Sequence, residues 1–343
     1  MSRSLIWLNF ALAGMLLGGC TSRGTDKPES GDSEKAQFAF ITNGVADFWK
    51  PAAAGAEKAG EELGVDVTVI MPSGLTDQTR KIEDLLSRGT DGIAISPIDP
   101  QNQGGILNQA AEQTKLVTHD SDAPDSNRLV YIGMDNYKAG LMCGELARKA
   151  LPDGGKIMIL VGRLDQDNAQ RRRNGFIDAL LELSPDPTRS HPSGEELKSN
   201  DGKYTILGTL TDQFDRAKAK ANAEDALTRH PDLTAMVGMF GYNPPAILEA
   251  LDRAGKLKEV KVIAFDEDDA TLQGVKDGTV VGTVVQDPYG YGHKSIEVLN
   301  ELHKGNKNVI PENEFIDIPA RVIDSSNVTE FWDDLNAKLG KSK

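Results

Sequence analysis

One stretch, Phe38 to Val67 (FAFITNGVADFWKPAAAGAEKAGEELGVDV), constrains the fold more than any other part of the chain. It opens with a short apolar run, Phe38–Ile41, and breaks into a polar and aromatic loop, Thr42 to Trp49. Pro51 is expected at the first helical position, where a missing N–H costs nothing. An Ala-rich helix follows and is expected to stop at Gly64, the residue type that tolerates the left-handed conformation past a helix end. Val65–Ile70 then supplies a second strand. Such a βαβ unit builds parallel sheet with right-handed crossovers. Open sheets of this kind bind ligands outside the carboxyl ends of their strands. The loop carrying Asn43, Phe48 and Trp49 therefore sits at a binding crevice.

The same rhythm continues along the chain. Strands are expected at Gly92–Ser96, Leu116–His119, Leu129–Gly133, Lys156–Val161, Tyr204–Leu210, Ala235–Met239, Val260–Phe265 and Val280–Val285, with helices between them. Strands alternating with helices over this length mean an α/β protein with doubly wound parallel sheets. Two stretches depart from the pattern. Residues 184–203, rich in Pro, Ser, Asp and Lys, read as a surface excursion. Ser326 to Leu339 carries Val328, Phe331, Trp332, Leu335 and Leu339 at helical spacing, an amphipathic helix docked on the body with Trp332 as its anchor, out of a ligand's reach.

At 343 residues the chain is long for one core and comfortable for two domains. Its net charge of −14 argues against nucleic acid as a partner, because phosphates would repel such a surface. The first twenty residues hold one Arg, a short apolar run and then Leu17-Gly18-Gly19-Cys20. That matches a signal peptide with a bacterial lipoprotein processing box, favoured over an ordinary secretory signal with an incidental Cys, so Cys20 is the expected lipid attachment and residues 21–36 a flexible tether. Removal of the leader leaves Cys143 as the other sulfhydryl, with no intramolecular disulfide possible and core packing as its expected role.

The strand ends share a chemistry. They carry Thr42, Asn43, Phe48 and Trp49, then Ser96, then Asp120 and Asp122, and later Arg163, Phe240, Tyr242 and Asn243. Asp266 to Asp269 and Gln286 follow the last strands. Carboxylates, amides and guanidinium groups suit neighbouring hydroxyls, and aromatic faces suit the C–H faces of a sugar ring. The plainer alternatives are that Phe48 and Trp49 cover the sheet end and that Asp120 and Asp266 cap helices. Of Arg171, Arg172 and Arg173, at most one is expected to point inward. The chain has no GxGxxG after a strand, no phosphate loop, no GxSxG elbow and no HExxH. No cofactor or metal is therefore expected, although Asp266 and Asp268 leave a glycosidase pair open until their geometry is known.

Together, FITNGVADFWKPAAAGAEKAGEELG, DGIAISPIDP, VTHDSDAP, YIGMDNYKAG, AQRRRNGF, VIAFDEDD and VVQDP, in this order, resemble a type I periplasmic sugar-binding protein of the ribose-binding kind. The core of that family is related to the effector domain of the lac repressor, and the resemblance covers about residues 37–322. It implies two similar α/β lobes joined by a three-strand hinge, 37–135 with 287–317 and 136–286 with 318–343. It implies a monomer, not an enzyme, that closes on a monosaccharide or polyol in the periplasm or at the cell surface and delivers it to an ABC transporter permease. A sensor subunit signalling to a membrane kinase or chemoreceptor is the alternative. By position, Phe48 and Trp49 match the family's sugar-sandwiching aromatics and Asp120 its hydroxyl-binding Asp. Arg172 matches its Arg, Phe214 the second-lobe aromatic, and Asp266 and Gln286 the last hydroxyl contacts. Thr42, Asn43 and Ser96 are lesser contacts. Ribose binders have Arg, Asn and Asn where this chain has Ser121, Phe240 and Ala46, with Asn243 nearby as a further contact, so the identity of the sugar stays open.

Overall fold

The computed structural model describes residues 35–340. Cys20, the leader 1–20 and the tether up to residue 34 lie outside the described residues. The first run of elements is β1 (Gln37–Ile41), α1 (Trp49–Leu63), β2 (Asp66–Ile70), α2 (Leu75–Ser87) and β3 (Gly92–Ile95). It continues with α3 (Pro100–Gln113), β4 (Lys115–His119) and β5 (Tyr131–Gly133). Next come α4 (Asn136–Ala150), β6 (Gly155–Val161), α5 (Asp167–Leu180), β7 (Leu197–Lys198) and β8 (Tyr204–Thr211). Then follow α6 (Arg216–Arg229), β9 (Ala235–Gly238), α7 (Asn243–Arg253), β10 (Lys261–Phe265), α8 (Asp269–Asp277) and β11 (Val280–Val285). The chain ends with α9 (Pro288–His303), β12 (Phe315–Asp317), β13 (Arg321–Ile323) and α10 (Val328–Lys338).

These strands form two sheets, and each sheet is the centre of a lobe. The first has the order β12-β5-β4-β3-β1-β2 and is parallel throughout. The second has the order β13-β11-β10-β9-β6-β8-β7, parallel except at its two outer strands. Interior strands such as GIAI in β3 and the buried end of β10 are apolar on both faces because helices cover both sides. The chain passes between the sheets three times, at Met134–Asp135, Gln286–Asp287 and 318–320, which makes the hinge.

Each lobe is tightened by one pair of helices. A Cβ on Gly55 of α1 would lie 2.1 Å from the Tyr289 carbonyl oxygen, and one on Gly292 of α9 would lie 1.9 Å from that of Ala52. In the second lobe a Cβ on Gly140 of α4 would meet the Arg172 carbonyl oxygen at 2.1 Å, and one on Gly175 of α5 that of Tyr137 at 2.1 Å. Only glycine permits backbones to approach so closely.

Several expectations shift. Helix α1 begins at Trp49, so Pro51 is its third residue, still inside the turn whose N–H groups need no helical acceptor. Gly64 ends it at φ 69°, as expected. The strand expected from Leu129 begins at Tyr131, and β7, β12 and β13 are pairings of two or three residues with no periodicity to read. Arg172 and Arg173 are both buried, against the expectation of one. Arg173 anchors the 184–203 excursion by donating to Thr209 Oγ1 and to the His191 and Pro192 carbonyls.

Candidate functional site

A cleft of about 1110 Å³ opens between the lobes at the carboxyl ends of both sets of strands. From the first lobe, Asn43, Phe48, Trp49 and Asp120 line it; from the second and the hinge come Arg172, Phe214, Phe240, Asp266 and Gln286. Thr42, Ser96 and Asn243 stand behind the wall. The Thr42 hydroxyl donates to the Gly44 carbonyl, Ser96 Oγ donates to Asp120 at 3.0 Å, and Asn243 Nδ2 donates to Asp212 at 2.8 Å.

Asp120 follows β4 with φ 58°, and Asp266 follows β10 with φ 66°. Both are in the left-handed region, which Asp tolerates better than most residues and which concentrates at functional sites. Neither caps a helix; Asp268 does that, accepting from the Ala270 N–H. Asp120 accepts from Ser96 and from Asn43 Nδ2 at 3.4 Å. Burial pushes its carboxyl up to about 6 against the pull of Arg172 and Ser96. Asp266 accepts from the Gly241 N–H at 2.9 Å and from Gln286 Nε2 at 2.8 Å, with Arg172 Nη1 4.0 Å away. Burial raises its pKa too, opposed by that guanidinium.

Arg172 is fully buried on α5. Its Nε donates to Asn136 Oδ1 at 3.0 Å and its Nη1 to the Met239 carbonyl at 2.9 Å. Its guanidinium carbon lies 5.3 Å from the Phe240 ring centre and 5.0 Å from that of Phe265. Phe240 thus backs the cation from the position where ribose binders carry Asn. Nη2 is buried without a protein partner, as is Gln166 Oε1 in the same wall. Buried polar groups left so are rare, and these two offer donors and an acceptor to a third party.

Aromatic groups differ between the walls. Trp49 is 2% exposed, donates its indole N–H to Asn43 Oδ1 at 3.2 Å and stands edge-on to Phe48 and His119. Phe214, at φ 64° and 42% exposed, stands edge-on to Phe240. Asp212 holds that group, accepting from the Phe214 N–H, from Asn243 and from the Tyr242 hydroxyl.

Sequence reasoning missed several contributors. Gln166 reaches across the lobes, donating to the Ile98 carbonyl at 3.2 Å; it follows a strand end, the signal that found the others. Tyr131, which accepts from Nδ2 of the strand-end residue Asn136 at 3.3 Å beside one hinge crossing, was missed, as was Tyr291, which donates to Gln286 Oε1 at 3.1 Å beside another. These pairs set the amides that hold Arg172 and Asp266. Leu335 and Leu339 of the terminal region also line the cleft, while Trp332 of the same helix is not among its lining residues and donates its indole N–H to Asp269. The arrangement can accept hydroxyl hydrogens at two carboxyls, donate from a guanidinium and an amide, and stack a ring against aromatic faces.

A family model described as a periplasmic binding protein domain matches residues 38–307. The ribose import binding protein RbsB of Salmonella typhimurium is 28% identical over 256 residues, 74% of this chain and 79% of that protein. The D-allose-binding periplasmic protein of Escherichia coli is 22% identical over 308 residues, 86% of this chain and 92% of its own. Among solved structures, an ABC transporter solute binding protein from Burkholderia graminis in complex with D-arabinose aligns with a TM-score of 0.76 at 28% identity, covering 87% of this chain and 98% of that one.

Proposed function

Since this chain belongs to the periplasmic binding protein family, we propose that it captures a small sugar, a pentose, hexose or polyol, between its lobes and presents it to an ABC transporter permease. One observation carries the reading: Asp120, Arg172, Asp266 and Gln286 converge on an interlobe cleft beside the exposed ring of Phe214. Similarity to proteins named for ribose import and D-allose binding, and to one solved with D-arabinose, supports the same ligand class. The protein acts outside the cytoplasm, held at the membrane through a lipid on Cys20, and works as a monomer without catalysis or cofactor. Binding drives hinge closure because a ligand touching both lobes has a higher affinity for the closed form.

A thermal-shift screen over monosaccharides and polyols tests this reading. A cognate sugar raises the melting temperature with concentration, since it binds only the folded state. No stabilisation by any pentose, hexose or polyol at millimolar concentration overturns it. Replacing Cys20 with Ser should release the protein from membrane fractions or block maturation; normal processing and membrane retention of that variant would refute the anchor.

A further inference from the structure

Glu267 has no part in the hydrogen bonds described so far. It follows Asp266 at the end of β10, and both of its carboxyl oxygens are buried without a hydrogen-bond partner. Beside the main cleft it lines a gap of about 10 Å³, room for one water molecule at most. That gap sits where the chain crosses between the lobes. Its second-lobe side holds Arg321, just after the crossing at 318–320, and Phe331 of α10. Its first-lobe side holds Pro51 of α1 and, just after the crossing at Gln286–Asp287, Pro288 and Tyr289 of α9. The carboxyl is thus enclosed by both lobes.

The charges around Glu267 leave it uncompensated. Asp266, beside it in the loop, is held by Gln286 and the Gly241 N–H. Asp287 faces it from the first lobe and accepts from the Gly290 N–H at the start of α9. At the start of α8, Asp268 caps the helix and Asp269 takes the Trp332 indole N–H. The cations are engaged elsewhere. Arg172 is bonded to Asn136 and to the Met239 carbonyl, and Arg321 lays its guanidinium 5.3 Å from the Phe331 ring centre. Lys338 of α10 pairs with Asp334 at 3.0 Å. Burial, then Asp266 and Asp287, hold the Glu267 pKa well above the usual carboxylate range, against the weaker pull of Arg321 and Arg172.

Resting on the reading of the cleft as a sugar site, we propose that Glu267 is a proton-binding group of the hinge, protonated when the lobes are together and ionised when they part. Both lobes wall the gap, so their separation admits water to the carboxyl, and the ionised form gains most from water. Closure returns the group to a dry site facing Asp287 of the other lobe, which suits the neutral acid alone. Each closure on a sugar therefore takes a proton from solvent. A group whose pKa is higher in the closed form favours closure at low pH. Sugar affinity is then highest at low pH and falls, by up to about tenfold per pH unit, as pH rises between the open-form and closed-form values.

Isothermal calorimetry on the intact protein tests the coupling. Free monosaccharides are titrated first, and the tightest is followed from about pH 7 to 8.5, above the range in which Asp120 titrates. Buffers of different ionisation enthalpy should reveal uptake of up to about one proton, with affinity falling as pH rises. In Glu267→Gln and Glu267→Ala, which lack the acid, the uptake should vanish and the affinity should stay level; the melting temperature of each variant without sugar reports whether it folds. Level affinity and no uptake in the wild-type protein overturn the coupling and leave the sugar reading standing. Uptake that persists in full in the Glu267 variants also overturns it, because another group then takes the proton. If no monosaccharide binds at any pH, both readings fall together.

Discussion

The two lobes use one scaffold and finish it differently. Each has a pair of helices crossing at two glycines, α1 with α9 and α4 with α5, and each has an aspartate in the left-handed region after an interior strand. In the first lobe Asp120 is held by neutral donors, Ser96 and Asn43, and the aromatic Trp49 is packed away at 2% exposure. In the second, Asp266 has the Arg172 guanidinium beside it, and Phe214 stands 42% exposed. The first lobe presents a wall whose carboxyl group is bonded by neutral donors and whose indole is already packed away. The second holds the cation, with one nitrogen still unpartnered, and the open aromatic. The backbone decides where the contacts sit, and Arg172 on α5 decides which lobe carries the strongest of them.

That asymmetry is open to direct test, and the largest effect belongs to Arg172. Charge-assisted hydrogen bonds contribute roughly 1.5–3 kcal/mol, so Arg172→Met should weaken sugar binding by roughly ten- to a hundredfold. Ser96→Ala removes a neutral donor behind Asp120 and should cost less, about tenfold at most. Calorimetry that finds the two losses equal would erase the distinction between the lobes.

Next come the glycine crossings. Gly55→Ala and Gly140→Ala each force a Cβ to 2.1 Å from a carbonyl oxygen, and overpacking of this kind destabilises by about 1–3 kcal/mol. Only Gly140→Ala displaces the backbone of Arg172, so it alone should also lower affinity. Equal affinity losses in both variants would show that the two crossings position the site alike.

Protons report the comparison more gently. The Asp120 carboxyl is raised by burial from the ordinary 3.8 to about 6, so the folded protein holds this proton more tightly than the unfolded chain. Its contribution to stability is therefore fully present below about pH 4 and is lost as pH rises towards 6. Sugar hydroxyls donating to the ionised form should lower that pKa again, so binding near pH 5.5 should release part of a proton. Calorimetry in buffers of different ionisation enthalpy measures it, and Asp120→Asn should reduce the release. If the release persists in full, it comes from Asp266, whose carboxyl burial also raises.

Fluorescence should change least. The Trp49 ring is already buried and bonded to Asn43, so closure has little water left to strip from it. A sugar should therefore alter emission intensity with little wavelength shift, and Trp49→Phe should abolish the change. A large shift, or a signal surviving in Trp49→Phe, would mean that the first-lobe wall is not finished before the ligand arrives.

Much of this was legible in the sequence because it depends on local pattern. The break after Ile41, the stop at Gly64 and the polar strand ends all announce themselves within a few residues, and they put Asp120 and Asp266 at strand ends, whereas Arg172 is singled out from its run of three only by the family resemblance. What stayed hidden depends on partners far along the chain. Asn243 looks like a contact, yet it begins α7 and turns inward, taking the Phe240 N–H and giving its own amide to Asp212. Thr42 is likewise spent on a neighbouring carbonyl. The second buried arginine, Arg173, has its reason in Thr209 and in the excursion carbonyls, which no run of three arginines reveals. Strands as short as β12 and β13 have too few residues to show a period. Leu335 and Leu339 read as the underside of a docked helix, since nothing local says that the surface beneath them opens into a cleft.

The crossing of α1 with α9 also sets an order of assembly. Strand β12 pairs with β5, and α9 packs on α1, so the first lobe cannot be completed until nearly the whole chain is available. Apart from edge strand β13 and α10, the second lobe is built from one continuous stretch, α4 to β11, whose contacts close shorter loops. Closing long loops costs entropy before any contact offsets it, and folding slows as contacts become less local. The half of the molecule that emerges first is thus the half that finishes last. Until α9 arrives, the apolar faces of β1, β3 and β4 have no cover on one side.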